Sequence, residues 1–483
     1  MTGRLLILDA ELDGRRTDLR IENGRIAEIG ARLGRDGTVL DAGGGALVPG
    51  LHDHHIHLLA LAAALESVDV SPERIRGAGA LQRTLAAPTG TWVRAINYHD
   101  DVAGPLDRTV LDRLAPERPV RVQYGTGSLW VLNGPALAAV LKPGEPLPPC
   151  VETDPAGEPT GRVWRGDDWL RTRLPATPPD LGRVGALLAR MGVTGASDTS
   201  AGTGPAEAAL LAEAARSGAL PQRLTLMSGE SLDAPDDGAV AVGPVKILLD
   251  ERDLPDFGAV LDRVRQARAW RRRVAFHCVT PVELAFVLAV MDTAGARPGD
   301  RIEHGSLIPA AAIKEIARLG LTVVTQPGLV GERGDRYRAE IDAREWPDLY
   351  RCRSLLEAGI PVAFSTDAPY TAPDPWAAIR TAASRRTPSG AVLGAAEAVS
   401  AAAALRRFLG PAHLPGAPPR RLVAGAPADL CLLGAPLDRA LATKRPAVAA
   451  TLVGGAPVHL DDAGRLAATT PIRTITEVLG ETP

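Results

Sequence analysis

Eight short apolar segments, separated by helix-like stretches, constrain this chain more than any other feature. They are "GALVPGLHDHHIH" (45–57), "GVTGASD" (192–198), "RLTLMSG" (223–229), "PVKILLD" (244–250), "RVAFHC" (273–278), "DRIEHG" (300–305), "LTVVTQP" (321–327) and "PVAFSTD" (361–367). Stretches such as "ELAFVLAVMDTAG" and "LYRCRSLLEAGI" between them read as helices. Strand–helix alternation is the pattern of a parallel sheet wrapped by helices. Eight such units predict an α/β fold, a closed (β/α)8 TIM barrel. An open doubly wound sheet would begin with a glycine-rich phosphate loop, and none follows the first strand.

The two ends read differently. Residues 1–48 alternate apolar and polar residues around Gly, Asn and Asp turns, and residues 411–483 do the same. They predict a small β-sandwich closed from both termini, with the barrel spanning 49–410. The interval of about 59–180 is too long for one strand–helix connection and reads as an insertion. It holds four of the seven tryptophans, Trp92, Trp130, Trp164 and Trp169. Segments that follow a barrel strand emerge on the active-site face, so the insertion is expected to roof the pocket.

Composition enters by exclusion. A net charge of -3 argues for neither a nucleic-acid nor a membrane-surface partner. The segment "MTGRLLILDAELDG" lacks the pattern of a secretion signal, and no apolar run suits a membrane span. The four cysteines are scattered and form no C-x-x-C pair, which fits a reduced, cytoplasmic setting.

The chemistry gathers at the strand ends. Along Asp53–His57 a strand shows Asp53, His55 and His57 to one face and His52 and His54 to the other. The odd-numbered pair is expected inside the barrel mouth. His277, His304 and Asp367 lie at the ends of later strands, and Lys246 lies within one. Imidazoles and a carboxylate converging on one mouth are the donors of zinc and similar ions. Only four of the 54 basic residues are lysines, so lysine within "VKILLD" has a specific chemical meaning. A buried lysine tends toward the neutral amine. A neutral amine takes up carbon dioxide as a carbamate, an anion able to bridge two metal ions. The structural alternative is an ion pair with Asp250.

The set "HDHHIH", "VKILLD", "FHC", "IEHG" and "FSTDAP" resembles the amidohydrolase superfamily of metal-dependent hydrolases. The resemblance implies metal ligands at His55, His57, Lys246, His277, His304 and Asp367, with one or two divalent ions, zinc foremost, and a carbamate on Lys246. It also implies Asp367 as the catalytic acid–base. "GSLWVLNGPAL" in the insertion is similar to the branch that includes N-substituted formamide deformylase. The chain departs from that branch at Ser128, where a histidine is frequent, and in "DERDLPDF" and "CVTPVE" after the fourth and fifth strands.

The implied reaction is hydrolysis of a non-peptide C–N bond in a small molecule. Bound metal lowers the pKa of water toward ~7, and Asp367 takes its proton and returns it to the departing nitrogen. Tyr124, Trp130, Asp198, Arg333 and Tyr337 are candidate substrate contacts, with Arg336 beside them. Against this stand a helix N-cap for Asp198, core packing for the tryptophans, and a solvated charged loop for "GLVGERGDRYRAEIDAREWPD". A homodimer is left open. One rival is a deaminase of the same superfamily, which places a Glu shortly after the fifth-strand histidine; here Glu283 stands six residues on. The other is a non-catalytic barrel that only binds, which would be expected to have lost ligands.

Overall fold

The structure, a computed structural model, describes residues 4–35, 37–88, 90–174, 179–233, 238, 240–461 and 466–468. It divides into two compact units. One comprises Met1–His57 with Leu181–Pro483, and the other Leu58–Asp180.

The first unit carries an eight-stranded sheet whose neighbours all pair in parallel and in chain order. Its strands are Leu51–Ile56, Val193–Asp198, Arg223–Ser228, Val240–Ile247, Val274–Cys278, Arg301–His304, Thr322–Thr325 and Val362–Phe364. The first and last strands meet through polar contacts beyond the ladder. Asp367 N–H donates to the His55 carbonyl at 2.8 Å, and His57 N–H to the Ala368 carbonyl at 2.9 Å. Asp53, fully buried, accepts from Thr366 N–H at 3.0 Å and Thr366 Oγ1 at 2.5 Å. One short carboxylate thus ties both edges of the sheet and completes a TIM barrel.

A β-sandwich is built from both ends of the chain. Thr38–Asp41 pairs with Leu466–Ala468 in a five-stranded sheet, and Leu47–Pro49 pairs with Leu430–Leu433 in a four-stranded one. Ile7, Leu19, Leu40, Leu430 and Leu452 form its core. Residues 462–465 and 469–483, which the sandwich reading of 411–483 includes, lie outside the described residues.

The second unit is no simple connection. It has its own six-stranded sheet, from Val68–Asp69 to Pro159–Trp164, and its own buried clusters. The segment after the seventh barrel strand corrects a sequence expectation. Read as a charged loop, it folds as a helix over Gly328–Glu340, followed by a 3-10 turn at Trp346–Asp348. Two of its glycines serve close packing. A Cβ on Gly331 would lie 2.5 Å from Thr381 Oγ1, and one on Gly334 2.6 Å from Thr387 Cγ2.

Candidate metal centre

Strand geometry sorts the four clustered histidines. His55 lies fully buried one residue before the end of the first barrel strand, and His57 follows just past it. Asp367 lies three residues beyond the last strand, Val362–Phe364, with a left-handed backbone at φ 63. His55 Nε2 and His57 Nε2 each lie 3.4 Å from Asp367 Oδ1. One ligand atom from each of the three fits within 4.8 Å of the others, close enough to share one ion. His52 and His54 turn away. Their rings meet at a tilt with centroids 4.6 Å apart, and His52 Nε2 meets Ser197 Oγ at 2.9 Å.

The other expected ligands adjoin this triad without entering it. His304 also has a left-handed backbone, φ 70, and its ring lies 4.6 Å from His55 and 4.5 Å from His277. Its Nδ1 is 3.8 Å from Asp367 Oδ2. Non-glycine residues in this region are uncommon and gather at functional sites. Lys246 is 3% exposed in the fourth strand. Burial draws its ammonium down to about 8, while the Glu303 and Asp367 carboxylates pull the other way. Asp250 pairs with Arg252, and Lys246 Nζ has no hydrogen-bond partner among the described residues.

Burial also holds His55 and His304 well below the ordinary histidine range, with neighbouring cationic groups adding to the effect. Both are therefore neutral at physiological pH, the form that binds metal. Among the described residues, His55 Nε2, Lys246 Nζ and Asp367 Oδ1 are buried without a hydrogen-bond partner. Buried polar atoms are normally satisfied. Three orphaned donor atoms at one barrel mouth fit a divalent cation.

Three supporting side chains escaped sequence reasoning. Glu303 Oε2 lies 2.5 Å from His55 Nδ1, Ser200 Oγ 3.0 Å from His57 Nδ1, and Gln326 Oε1 3.0 Å from His304 Nδ1. Gln326 is itself oriented, because its Nε2 donates to Ser365 Oγ at 2.9 Å. Strand alternation was the available signal for Glu303, which shares a face with Arg301 in "RIEHG".

The proposed substrate contacts separate. Trp130 is 2% exposed in a core of the second unit, and its Nε1 donates to Asp167 at 2.8 Å. Tyr124 packs against that unit's other core and donates to Asp100 at 2.8 Å. Both have packing roles. Asp198 is not a helix N-cap: Gly204 occupies that position, with Glu207 reaching back to its N–H at 3.0 Å. Instead Asp198 accepts from Ser200 N–H at 3.1 Å, and Ser200 is the partner of His57. Arg333 donates to the Tyr370 carbonyl at 2.6 Å, and the Tyr370 ring meets His57 edge-on at 5.4 Å. The Tyr337 hydroxyl lies 3.1 Å from that of Tyr350 and senses the charge of Asp367. Arg333 is thus linked to His57 through Tyr370, and Tyr337 lies within electrostatic range of Asp367.

The profile of the amidohydrolase family matches residues 38–459. The chain belongs to the amidohydrolase family. This amidohydrolase is 28% identical to an N-substituted formamide deformylase of Arthrobacter pascens, over 82% of this chain and 85% of that one. It is 25% identical to a putative amidohydrolase of Bacillus subtilis (strain 168), over 71% and 74% of the two chains. In fold it is similar to an uncharacterized metal-dependent hydrolase from Pyrococcus horikoshii OT3, with a TM-score of 0.73, 19% identity, and coverage of 91% and 99%. As an amidohydrolase the protein is a hydrolase of carbon–nitrogen bonds other than peptide bonds. None of its described helices is long and apolar enough to cross a membrane.

The two histidine faces yield a direct test. His54→Ala is expected to retain metal within about twofold while costing about 1–3 kcal/mol of stability, because it empties a buried site. His55→Ala is expected to lose metal. Metal analysis and denaturant melts of both variants check this, and metal loss in the His54 variant alone would reverse the assignment of faces.

Proposed function

We propose that this amidohydrolase holds divalent metal, zinc by its donor set, and hydrolyses an amide-type, non-peptide C–N bond of a small molecule. The observation that carries the reading is the meeting of His55 Nε2, His57 Nε2 and Asp367 Oδ1 beside a buried lysine. A divalent ion supplies Lewis acidity toward a carbonyl oxygen and lowers the pKa of water. His55 and His57 offer neutral imidazole nitrogens. Asp367 receives a proton from the attacking water and returns it to the departing nitrogen. Lys246, as the free amine, adds through Nζ to the carbon of carbon dioxide and releases one proton. The resulting carbamate would offer an anionic oxygen donor near His55 and His304, whose electrostatics register the charge at Lys246, and would suit one or two ions. Arg333, Tyr337 and Tyr370 border the space where substrate would sit.

Similarity to an N-substituted formamide deformylase supports an amide carbonyl as the electrophile. The deaminase reading finds no support at Glu283. That residue is buried and caps the helix Pro281–Ala294, accepting from Val279 N–H at 2.6 Å and Thr280 N–H at 3.1 Å. The six expected ligands are all present, which argues against a barrel that only binds.

The test is a panel of N-substituted formamides, longer N-acyl amines and ring amidines, offered to metal-loaded protein. Release of free amine with a carboxylic acid is expected, together with loss of at least about 100-fold of the activity on chelation and its return on adding Zn2+. Ammonia release from ring amidines alone would overturn the reading in favour of deamination.

A further inference from the structure

Beneath the triad a chain of charged groups runs into the barrel interior. Glu303 is fully buried, and one of its oxygens lies 2.5 Å from His55 Nδ1. The other lies 2.5 Å from Arg301 Nε, an ion pair by distance without hydrogen-bond geometry, in which the arginine side chain is 1% exposed. Arg301 Nη2 rests 3.4 Å from Met227 Sδ. Barrel interiors are ordinarily filled by branched apolar side chains. A buried ion pair there is a weak source of stability, since desolvation offsets the attraction. Its position against one particular histidine calls for another reason.

Acceptor chemistry supplies one. A carboxylate beside Nδ1 accepts a hydrogen bond from the proton on that nitrogen and so leaves the lone pair on Nε2. Nε2 is the His55 atom that lies 3.4 Å from Asp367 Oδ1. His57 and His304 have neutral partners at Nδ1, the Ser200 hydroxyl and the Gln326 amide. Of these three histidines, His55 is the one with a carboxylate there, and that carboxylate is backed by a buried guanidinium.

We propose that Glu303, held by Arg301, is a positioning residue that fixes the tautomer and ring orientation of His55 and thereby sets the metal affinity of the centre. The inference rests on His55 being a ligand. It adds a role that sequence motifs do not assign, since Glu303 itself touches neither metal nor substrate.

The experiment uses the full chain loaded with Co2+, whose visible absorption reports ligand geometry. Wild type is compared with Glu303→Gln, the double variant Arg301→Met/Glu303→Gln, and His55→Ala. The double variant removes both charges, so no unpaired buried arginine is left to prevent folding. The expected result is Co2+ affinity lowered about 10–100-fold in the Glu303 variants, with altered visible bands and thermal melts showing a folded double variant. A folded double variant with wild-type affinity and spectrum would reduce the pair to a structural filler and overturn the inference. If His55→Ala loses Co2+ in that same comparison, the reading of the metal centre stands while the role of Glu303 falls. Wild-type Co2+ affinity in His55→Ala would overturn the metal centre and this inference together.

Discussion

Asparagine in place of Asp367 is expected to lower kcat by about 10²–10⁴-fold, the range that one positioned acid–base group contributes. The substitution keeps the size of the side chain and a carbonyl oxygen that can still face the metal. Asparagine also tolerates the left-handed backbone found at this position, φ 63. The backbone bond from residue 367 to the His55 carbonyl, 2.8 Å, does not depend on the side chain. What disappears is proton-accepting capacity at Oδ1, the atom 3.4 Å from both histidine Nε2 atoms. The effect should therefore fall on kcat, with KM and bound metal changing little. Steady-state kinetics with parallel metal analysis checks it. Near-normal turnover in a metal-loaded variant would remove Asp367 from the acid–base role.

Lys246→Arg is expected to abolish metal-dependent hydrolysis although it preserves positive charge. A guanidinium does not form a carbamate, and at neutral pH it stays protonated. It would place a permanent cation beside His55 and His304, whose electrostatics already register the charge at Lys246. Lys246→Ala should also lose activity, but a short-chain carboxylic acid such as propionate should restore part of it by supplying an anionic oxygen donor in the emptied space. Metal content and hydrolysis are measured for both variants, with and without the acid. A metal-loaded, fully active Lys246→Arg protein would eliminate the carbamate and shift the reading toward a single-ion centre.

The barrel was legible because its signals are local. Each strand segment is a short apolar run, and each connecting helix shows its own spacing. The choice of His55 and His57 over His52 and His54 followed from strand alternation, which the fold preserves up to the barrel mouth. The helix over Gly328–Glu340 was not legible. Glycine lowers helix propensity, and the reason for Gly331 and Gly334 is the close approach of Thr381 and Thr387, about fifty residues later in the chain. Trp130 and Tyr124 resembled pocket residues for a related reason. Composition marks an aromatic residue without telling whether its polar atom finds a partner inside its own unit, as Trp130 does with Asp167.

The sequence by itself determined the barrel, the residue types at the strand ends, and the contrast of one buried lysine in an arginine-rich chain. These depend on residue type and short-range order, which every chain carries in one dimension. Only the tertiary structure decided which atoms meet. Asp53 closes the barrel on Thr366, and Asp367 comes to His55 from more than three hundred residues away. Glu303 turns its carboxylate onto the far nitrogen of that histidine. Such contacts depend on how the strands curve round to close and on the left-handed turns at His304 and Asp367. Those turns break strand alternation at the mouth, so a pattern of period two predicts side-chain direction along the strands, His55 and His57 included, and fails at His304 and Asp367.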